Sequence, residues 1–379
     1  EYFKQFKGMF DRIFMMGVSP VTLDDLSSGY NIDWNISVDP RFNAMMGFDE
    51  TEVREMFHYY QQNDMLNGDV EAMIAEMKPW YDNYCFARKS LDDDRVFNCD
   101  MTLYYLRWQV DFHRAPEEMV DKNIRTDYSK LKMLARIDRD SVQEGDRMST
   151  IEKIAAEGDI FVDLHTSFPA ERITDIDNFR SLLYYYGLLT MCGTRGDLIK
   201  MSIPNNCVRE QYFGFLRDYY QKYSSIDLHY LNVMLTDMAY DGRWKPFFES
   251  VAQAYRENSA VRDAMEGERN LQGFLKAYLA LASYYLVEPE LEMNYGYCDF
   301  FLLPDKKRYP DVKHSYILEL KYATRTATDA ELEVQALEGR NQLLQYSEDK
   351  IVRCLSEGTT LHRLLLQFRG WDLVRCEEV

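Results

Sequence analysis

Residues 296–323 constrain the fold most, because they place charged side chains inside two apolar segments. The stretch reads GYCDFFLLPDKKRYPDVKHSYILELKYA, with a lone Asp299 before one apolar run and with Glu319 and Lys321 inside the next. Aromatic and aliphatic runs of this length, separated by a polar turn that contains Pro, predict two β-strands joined as a hairpin. A buried strand carries a charged side chain at a high cost unless the charge has a partner, so these three residues are candidates for a site.

The register of this hairpin decides whether the three side chains meet. Successive side chains in a strand point to opposite faces, so Glu319 and Lys321 share one face. Opposed residues of an antiparallel pair have a constant index sum. A sum of 618, with the turn centred on Tyr309, sets Asp299 opposite Glu319, whereas a sum of 620, centred on Pro310, sets it opposite Lys321. Both registers put the three side chains on one face, with opposed Cβ atoms about 4.5–5.5 Å apart.

Two carboxylates at that distance repel each other, and a divalent cation with oxygen ligands relieves the repulsion. Mg²⁺ suits Asp299 and Glu319, because it binds one or two carboxylates and keeps several waters. The carbonyl of Leu320 could add a ligand, and Lys321 could orient or deprotonate a bound water for in-line attack on phosphorus. The competing interpretation is a solvated sheet face on which Glu319 and Lys321 form a weak ion pair.

A predicted helix upstream of the hairpin adds a third carboxylate. The segment 267–286 spaces its apolar residues three and four apart, which predicts an amphipathic helix packed on a flat apolar surface. Glu268 lies three residues before Leu271 and seven before Leu275, so we expect it at the end of this apolar stripe, pointing toward the sheet. The stripe consists of Leu271, Phe274, Leu275, Tyr278, Leu279, Ala282, Tyr285 and Leu286.

Further elements follow the hairpin. Thr328 and Glu331 have the spacing of a capping box, which predicts a helix that runs to about Tyr346. RLLLQF at 363–368 predicts another buried strand. This order of elements predicts a small mixed sheet flanked by helices.

The hairpin resembles the PD-(D/E)XK nuclease superfamily. Asp299 matches the family's Asp, and Glu319-Leu320-Lys321 matches its (D/E)-x-K strand. Cys298 stands where the family has Pro. The resemblance implies a restriction-endonuclease-like domain that binds Mg²⁺ or Mn²⁺ and hydrolyses phosphodiester bonds. It implies that Asp299, Glu319 and Leu320 hold the metal.

The flanking helices extend the same resemblance. It implies that Glu268 is the family's first-helix acid and that Gln342 is its later-helix Gln, with Gln345 as a rival for that position. The implied catalytic set is Asp299, Glu319, Lys321, Glu268 and Gln342.

More narrowly, the chain resembles bacterial proteins in which an AAA-ATPase-like region precedes such a nuclease-like domain. The stretches that carry this resemblance are GVSPVTLDDLSSGYNI, FRSLLYYYGLLT, SIPN, and GYCDFFLLP with YILELKYA. It implies the tail of an AAA-ATPase-like core at 1–48, a helical lid at 49–158, a winged-helix-like segment at 159–228 and the nuclease-like domain at 229–379. The chain has no G-x-x-x-x-G-K-[ST] motif, so we assign no nucleotide-binding residue. We expect ATP only if the full protein has a P-loop upstream of this start.

Local patterns in the upstream half agree with this division. RIFMM at 12–16 predicts a short buried strand. A helix at 176–187, followed by LLTMC, the turn GTRGD and LIKMSIP, gives the helix-then-hairpin outline of a winged-helix module. Because the first residue is Glu1, we expect the natural beginning to be missing.

The charge distribution limits the partners. The net charge is −19, yet residues 301–379 contain 12 Lys and Arg against 13 Asp and Glu, so the acidity lies upstream. Phosphate binding depends mainly on Lys and Arg, so we do not expect nucleic acid to bind over the whole surface of so acidic a chain. KKR at 306–308 predicts a solvated hairpin tip or a phosphate contact beside the metal. We expect nucleic acid, with DNA preferred, as the partner and leave the oligomeric state open.

Other features exclude further classes of protein. No uninterrupted run of 18 apolar residues exists, so we expect no membrane partner. The seven cysteines are odd in number and lack C-x-x-C spacing, which favours a reducing cytoplasm over a disulfide framework. The six histidines, which we expect to be isolated, are His58, His113, His165, His229, His314 and His362.

The sequence therefore predicts a mixed α/β chain of the α+β type. Its N-terminal half is mostly helical with the winged-helix-like segment, and its C-terminal part is the small mixed sheet flanked by helices. The leading hypothesis is a Mg²⁺-dependent nuclease coupled to an AAA-ATPase-like region. The alternatives are a catalytically inactive nuclease-fold module with a regulatory or protein-interaction role, and an ATP-driven switch.

Overall fold

The structure is a computed structural model that describes residues 14, 17, 21–22, 35–93, 95–121, 128–135, 143–222, 224–258, 267–293 and 296–379. Apart from residue 14, the predicted strand at 12–16 lies outside the described residues. The chain divides into two units. The first comprises Glu1–Ile154 and Gly158–Gln211, and the second comprises Ala155–Glu157 and Tyr212–Val379. The predicted region boundaries after residues 48, 158 and 228 stay predictions.

Helices dominate the first unit. They are α1 (Glu50–Gln62), α2 (Val70–Tyr81), α3 (Cys99–Phe112), α4 (Tyr128–Ala135), α5 (Gln143–Glu157), α6 (Ile176–Tyr185) and α7 (Asn206–Tyr220), of which α5 and α7 end in the second unit. Side chains of α1, α2 and α3 form an apolar core that includes Phe57, Tyr81 and Tyr105.

The strands of the first unit are short. They are β1 (Val21–Thr22), β2 (Asp159–Val162), β3 (Phe168–Pro169), β4 (Thr190–Arg195) and β5 (Leu198–Ser202). β5 pairs antiparallel with both β2 and β4, while β1 pairs parallel with β3. Gly196 has a φ of +62° in the two-residue turn between β4 and β5, a conformation that favours glycine. The predicted order of helix then hairpin is therefore present, and its assignment to a winged-helix module stays a prediction.

The second unit contains the predicted mixed sheet. Its helices are α8 (Leu228–Asp241), α9 (Lys245–Glu257), α10 (Glu268–Leu279), α11 (Asp329–Ser347) and α12 (Lys350–Leu355). Its strands are β6 (Tyr285–Met293), β7 (Gly296–Pro304), β8 (His314–Ala323), β9 (Thr360–Arg369) and β10 (Asp372–Glu378), in the sheet order β10-β9-β8-β7-β6. β8 and β9 are parallel, whereas the other neighbours are antiparallel. The predicted α+β class is confirmed.

The hairpin of β7 and β8 has the first of the two predicted registers. Phe300 pairs with Leu318, and Phe301 pairs with Ile317, so the index sum is 618. Phe301 and Ile317 lie in one apolar cluster with Ala336 and Leu343 of α11. This face of the sheet, which is also the face of Glu319, is therefore covered by α11.

Helix α10 ends earlier than the apolar stripe predicted. Leu271, Phe274 and the other stripe residues up to Leu279 are buried as expected, but Tyr285 and Leu286 begin β6 and pair with Pro304 and Leu303. The prediction of a helix through Leu286 was wrong because the sequence has no Gly or Pro between Leu279 and Tyr285 to mark the end of the helix.

Helix α11 begins where its cap predicted. Thr328 and Glu331 form a complete capping box, in which each side chain bonds the backbone of the other residue. The helix extends to Ser347, one residue beyond the predicted end. Among the described residues, no helix is long and apolar enough to cross a membrane.

Two of the histidines predicted to be isolated lie in contact. Nδ1 of His314 is 2.9 Å from Nε2 of His362, and Nδ1 of His362 is 2.7 Å from a carboxylate oxygen of Glu378. The prediction missed this cluster because it depends on the parallel pairing of β8 with β9, which connects residues almost 50 positions apart.

Candidate active site

Strand β8 carries two of the predicted site residues under helix α11. Glu319 and Lys321 share a face, and the helix comes close to both at Gly339. A Cβ atom at Gly339 would lie 3.5 Å from Glu319 Cγ and 3.4 Å from Lys321 Cε. The missing side chain at this position therefore lets the helix close over the acid and the base.

Asp299 is held between two elements. Its Oδ2 accepts a hydrogen bond of 2.7 Å from the backbone N–H of Leu320 on β8, and its Oδ1 accepts one of 3.1 Å from Nε2 of Gln272 on α10. The described pairing of β7 with β8 stops at Phe300 and Leu318, so the side chain of Asp299 continues the link between the strands. Both oxygens of this carboxylate therefore have a fixed direction.

Glu319 is a buried carboxylate with one unsatisfied oxygen. The residue is only 3% exposed. Its Oε1 accepts a hydrogen bond of 2.8 Å from Lys321 Nζ, whereas its Oε2 is buried and has no hydrogen-bond partner among the described residues. Burial, followed by the negative charge of Asp299, raises the pKa of Glu319 to about 7 despite the ion pair with Lys321.

The carboxyl group of Glu268 interacts electrostatically with those of Asp299 and Glu319. Although much of this residue is exposed at the start of α10, desolvation of its carboxyl, and then the charge of Asp299, raise its pKa. Burial also raises the pKa of Asp299, against the hydrogen bond from Leu320 and the charge of Lys321. Three carboxyl groups therefore act on each other and on the ammonium group of Lys321 at this end of β8.

The structure separates the two rival glutamines of α11. Gln345 is exposed, whereas Gln342 is half-buried and has a buried Oε1 without a hydrogen-bond partner in the described part of the chain. Nε2 of Gln342 lies 3.4 Å from the hydroxyl of Tyr346, and the charges of Glu319 and Asp299 contribute to raising the pKa of that hydroxyl. This geometry favours Gln342 over Gln345 as the glutamine of the site.

A comparison with protein families covers this region. Residues 266–378 match the family model of the PD-(D/E)XK nuclease superfamily. This segment is a PD-(D/E)XK nuclease superfamily domain. No curated protein matches the chain. The matched segment includes all the site residues predicted from the sequence, whereas the AAA-ATPase-like region predicted at 1–48 lies upstream of it and stays a prediction.

The donors in the PD-(D/E)XK domain fit a divalent cation. Asp299 and Glu319 supply hard oxygen donors, and the unsatisfied Oε2 of Glu319 is an acceptor whose burial is costly without a partner. No three His, Cys, Asp or Glu side chains within the described ranges form a group that could hold a metal ion. A cation that keeps several waters, as Mg²⁺ does, suits a site with two carboxylates.

The basic turn of the PD-(D/E)XK domain lies away from this site. Residues 306–308 follow the far end of β7, five residues beyond Asp299, and a strand advances about 3.3 Å per residue. Lys306 donates a hydrogen bond to the carbonyl of Glu357, and the side chain of Arg308 is only 14% exposed. The prediction that this turn contacts phosphate beside the metal is therefore wrong, because the register places the turn at the end of the hairpin opposite to Asp299 and Glu319.

Gln272 is a site residue that the sequence reasoning missed. It lies four residues after Glu268, so both side chains project from one face of α10 toward the end of β8. That spacing could have identified Gln272, although its bond to Asp299 depends on the position of β7.

Proposed function

We propose that the PD-(D/E)XK domain is a metal-dependent nuclease that hydrolyses phosphodiester bonds. The observation that supports this proposal best is the buried, unpartnered Oε2 of Glu319 beside the carboxylate of Asp299. An acid kept in such a position lowers stability unless something binds it, so the arrangement suits a ligand better than a structural role.

Asp299, Glu319 and the carbonyl of Leu320 would hold Mg²⁺ or Mn²⁺. When bound, the ion would supply Lewis-acid activation of the scissile phosphate and a lower pKa of the attacking water. The hydrogen bonds from Leu320 N–H and Gln272 keep the Asp299 carboxylate in one orientation. Glu268 adds a carboxyl at the rim of the same site.

Lys321 is the residue that would handle the attacking water. Its ammonium lies 2.8 Å from Glu319 Oε1, and its side chain is 19% exposed, so it lies at the border between the buried acid and solvent. From there the ammonium can orient a water by hydrogen bonding, and once it has released a proton to solvent, the neutral amine can accept a proton from that water at Nζ. Gln342 can fix a second polar group through its unpartnered Oε1.

The substrate of the proposed reaction is nucleic acid, with DNA preferred. The nearly balanced charge of residues 301–379 permits a phosphate backbone to approach, in contrast to the acidic residues upstream. Coupling to ATP would come from an AAA-ATPase-like region, and the cytoplasm is the proposed location.

A cleavage assay on the 379-residue chain tests this function. Labelled single-stranded DNA, duplex DNA and RNA are each incubated with the protein under five conditions: with Mg²⁺, with Mn²⁺, with Ca²⁺, without added metal, and with EDTA. Cleavage of at least one substrate is expected to fall by about 10³-fold or more in EDTA and to return on addition of Mn²⁺. Cleavage that is unchanged in EDTA, or absent from every substrate and ion, would contradict the proposal.

A non-catalytic module is the main alternative, and one observation favours it. The ion pair between Lys321 and Glu319 satisfies both charges in part without any metal. This alternative predicts that the chain binds neither Mg²⁺ nor Mn²⁺ at the site and that Lys321→Ala lowers stability only.

A further inference from the structure

Gln272 contacts the proposed metal site without carrying a charge. It lies on α10, and its Nε2 donates a hydrogen bond of 3.1 Å to Oδ1 of Asp299, 27 residues away. The residue is half-buried, one helical turn after Glu268. Its amide therefore reaches the site from the helix, whereas the other contact to Asp299 comes from the sheet.

Two hydrogen bonds restrain Asp299 more than one does. The bond from Leu320 N–H to Oδ2 anchors one oxygen, but by itself it still lets the plane of the carboxylate rock within the angular range that a single hydrogen bond tolerates. The second bond, from Gln272 to Oδ1, fixes that plane. A ligand for Mg²⁺ must keep a defined direction, because this ion demands nearly octahedral geometry.

A neutral donor is the side chain that this position requires. Asp299, Glu319 and Glu268 already repel one another, so a further carboxylate would add to the repulsion. A Lys or Arg would satisfy Asp299 but would compete with a dication for its charge. An amide N–H orients the carboxylate and leaves its charge available to a metal.

We propose that Gln272 is a positioning residue that fixes the carboxylate of Asp299 for the divalent ion. This inference rests on the proposed function. Gln272 acts through Asp299 and does not contact the reacting atoms. Its removal is expected to weaken metal binding more than it slows the reaction at saturating metal.

The first measurement requires no metal. Residue-resolved hydrogen exchange of the Leu320 amide is compared between the wild-type chain and Gln272→Met in EDTA, with the Leu318 amide of the same strand as the internal reference. Loss of the Gln272 bond is expected to speed exchange at Leu320 by about tenfold while Leu318 stays within a factor of two. Equal protection of Leu320 in both proteins would overturn the positioning role.

The second measurement is the affinity for Mn²⁺ by titration calorimetry. Gln272→Met is expected to bind Mn²⁺ about 10- to 100-fold more weakly, with kcat at saturating Mn²⁺ within about threefold of wild type. Gln345→Met replaces an exposed glutamine of the same domain and should leave both values unchanged. Gln272→Ala is measured in the same way, because the Met side chain of Gln272→Met could repack against its neighbours whereas Ala cannot fill the space.

The two measurements separate the two ideas. A wild-type chain that binds no Mn²⁺ would overturn the proposed function and the metal-directed role of Gln272 together, while hydrogen exchange would still show whether Gln272 orients Asp299. Wild-type affinity in a folded Gln272→Met protein would overturn the role of Gln272 and leave the nuclease proposal intact.

Discussion

Glu319→Gln is expected to lower metal-dependent cleavage by about 10³-fold or more, which is the largest effect that we predict for a single substitution. A metal that polarises a phosphoryl oxygen contributes several kcal/mol, and each 1.36 kcal/mol corresponds to tenfold in rate. The amide keeps the shape of the side chain but removes the charge that would hold the ion. Initial rates at saturating Mn²⁺ measure the effect.

The substitution should not damage the fold. Glu319 is buried and its ionisation is disfavoured there, so a neutral amide of the same size is tolerated, as thermal unfolding followed by circular dichroism will show. Glu338→Gln is the matched control, because Glu338 is exposed on α11 one residue before Gly339. Cleavage by Glu319→Gln at the wild-type rate would remove Glu319 from the mechanism.

Gly339→Val is expected to have the second-largest effect, on stability and activity together. Even a Cβ atom at this position would lie 2.7 Å from Cδ1 of Leu365, which is fully buried and cannot move into solvent. The extra methyl groups would push α11 away from Glu319 and Lys321. We expect the free energy of unfolding to fall by about 2–3 kcal/mol and cleavage to fall by about 100-fold.

Leu337→Val controls for the β-branched side chain in this helix. Leu337 is 58% exposed on α11, so its substitution changes helix propensity without overpacking. Urea unfolding gives the difference in stability between each variant and the wild type. A Gly339→Val protein as stable and as active as Leu337→Val would show that the close approach of α11 is not needed.

The hairpin and its acids could be predicted because few registers were compatible with the sequence. Strand alternation put Glu319 and Lys321 on one face, and the two even index sums considered both brought Asp299 to them. The observed register is the one with a sum of 618. The start of helix α11 could also be predicted from the sequence, because the capping box of Thr328 and Glu331 is a local signal within one helical turn.

The features that could not be predicted from the sequence depend on contacts between distant parts of the chain. Nothing local to Gln272 indicates that its amide meets Asp299, because that bond requires the packing of α10 against β7. The pairing of His314 with His362 follows from the parallel contact of β8 with β9. The end of α10 was also missed, because the apolar residues of the helix continue directly into β6.

The proposed mechanism requires Asp299 and Glu319 to bind one divalent ion between them. Anomalous diffraction from crystals soaked in Mn²⁺ tests it most directly. We expect one strong peak about 2.0–2.3 Å from a carboxylate oxygen of each residue, with water completing the coordination. A peak elsewhere, or none while Lys321 remains bonded to Glu319 at saturating Mn²⁺, would contradict it.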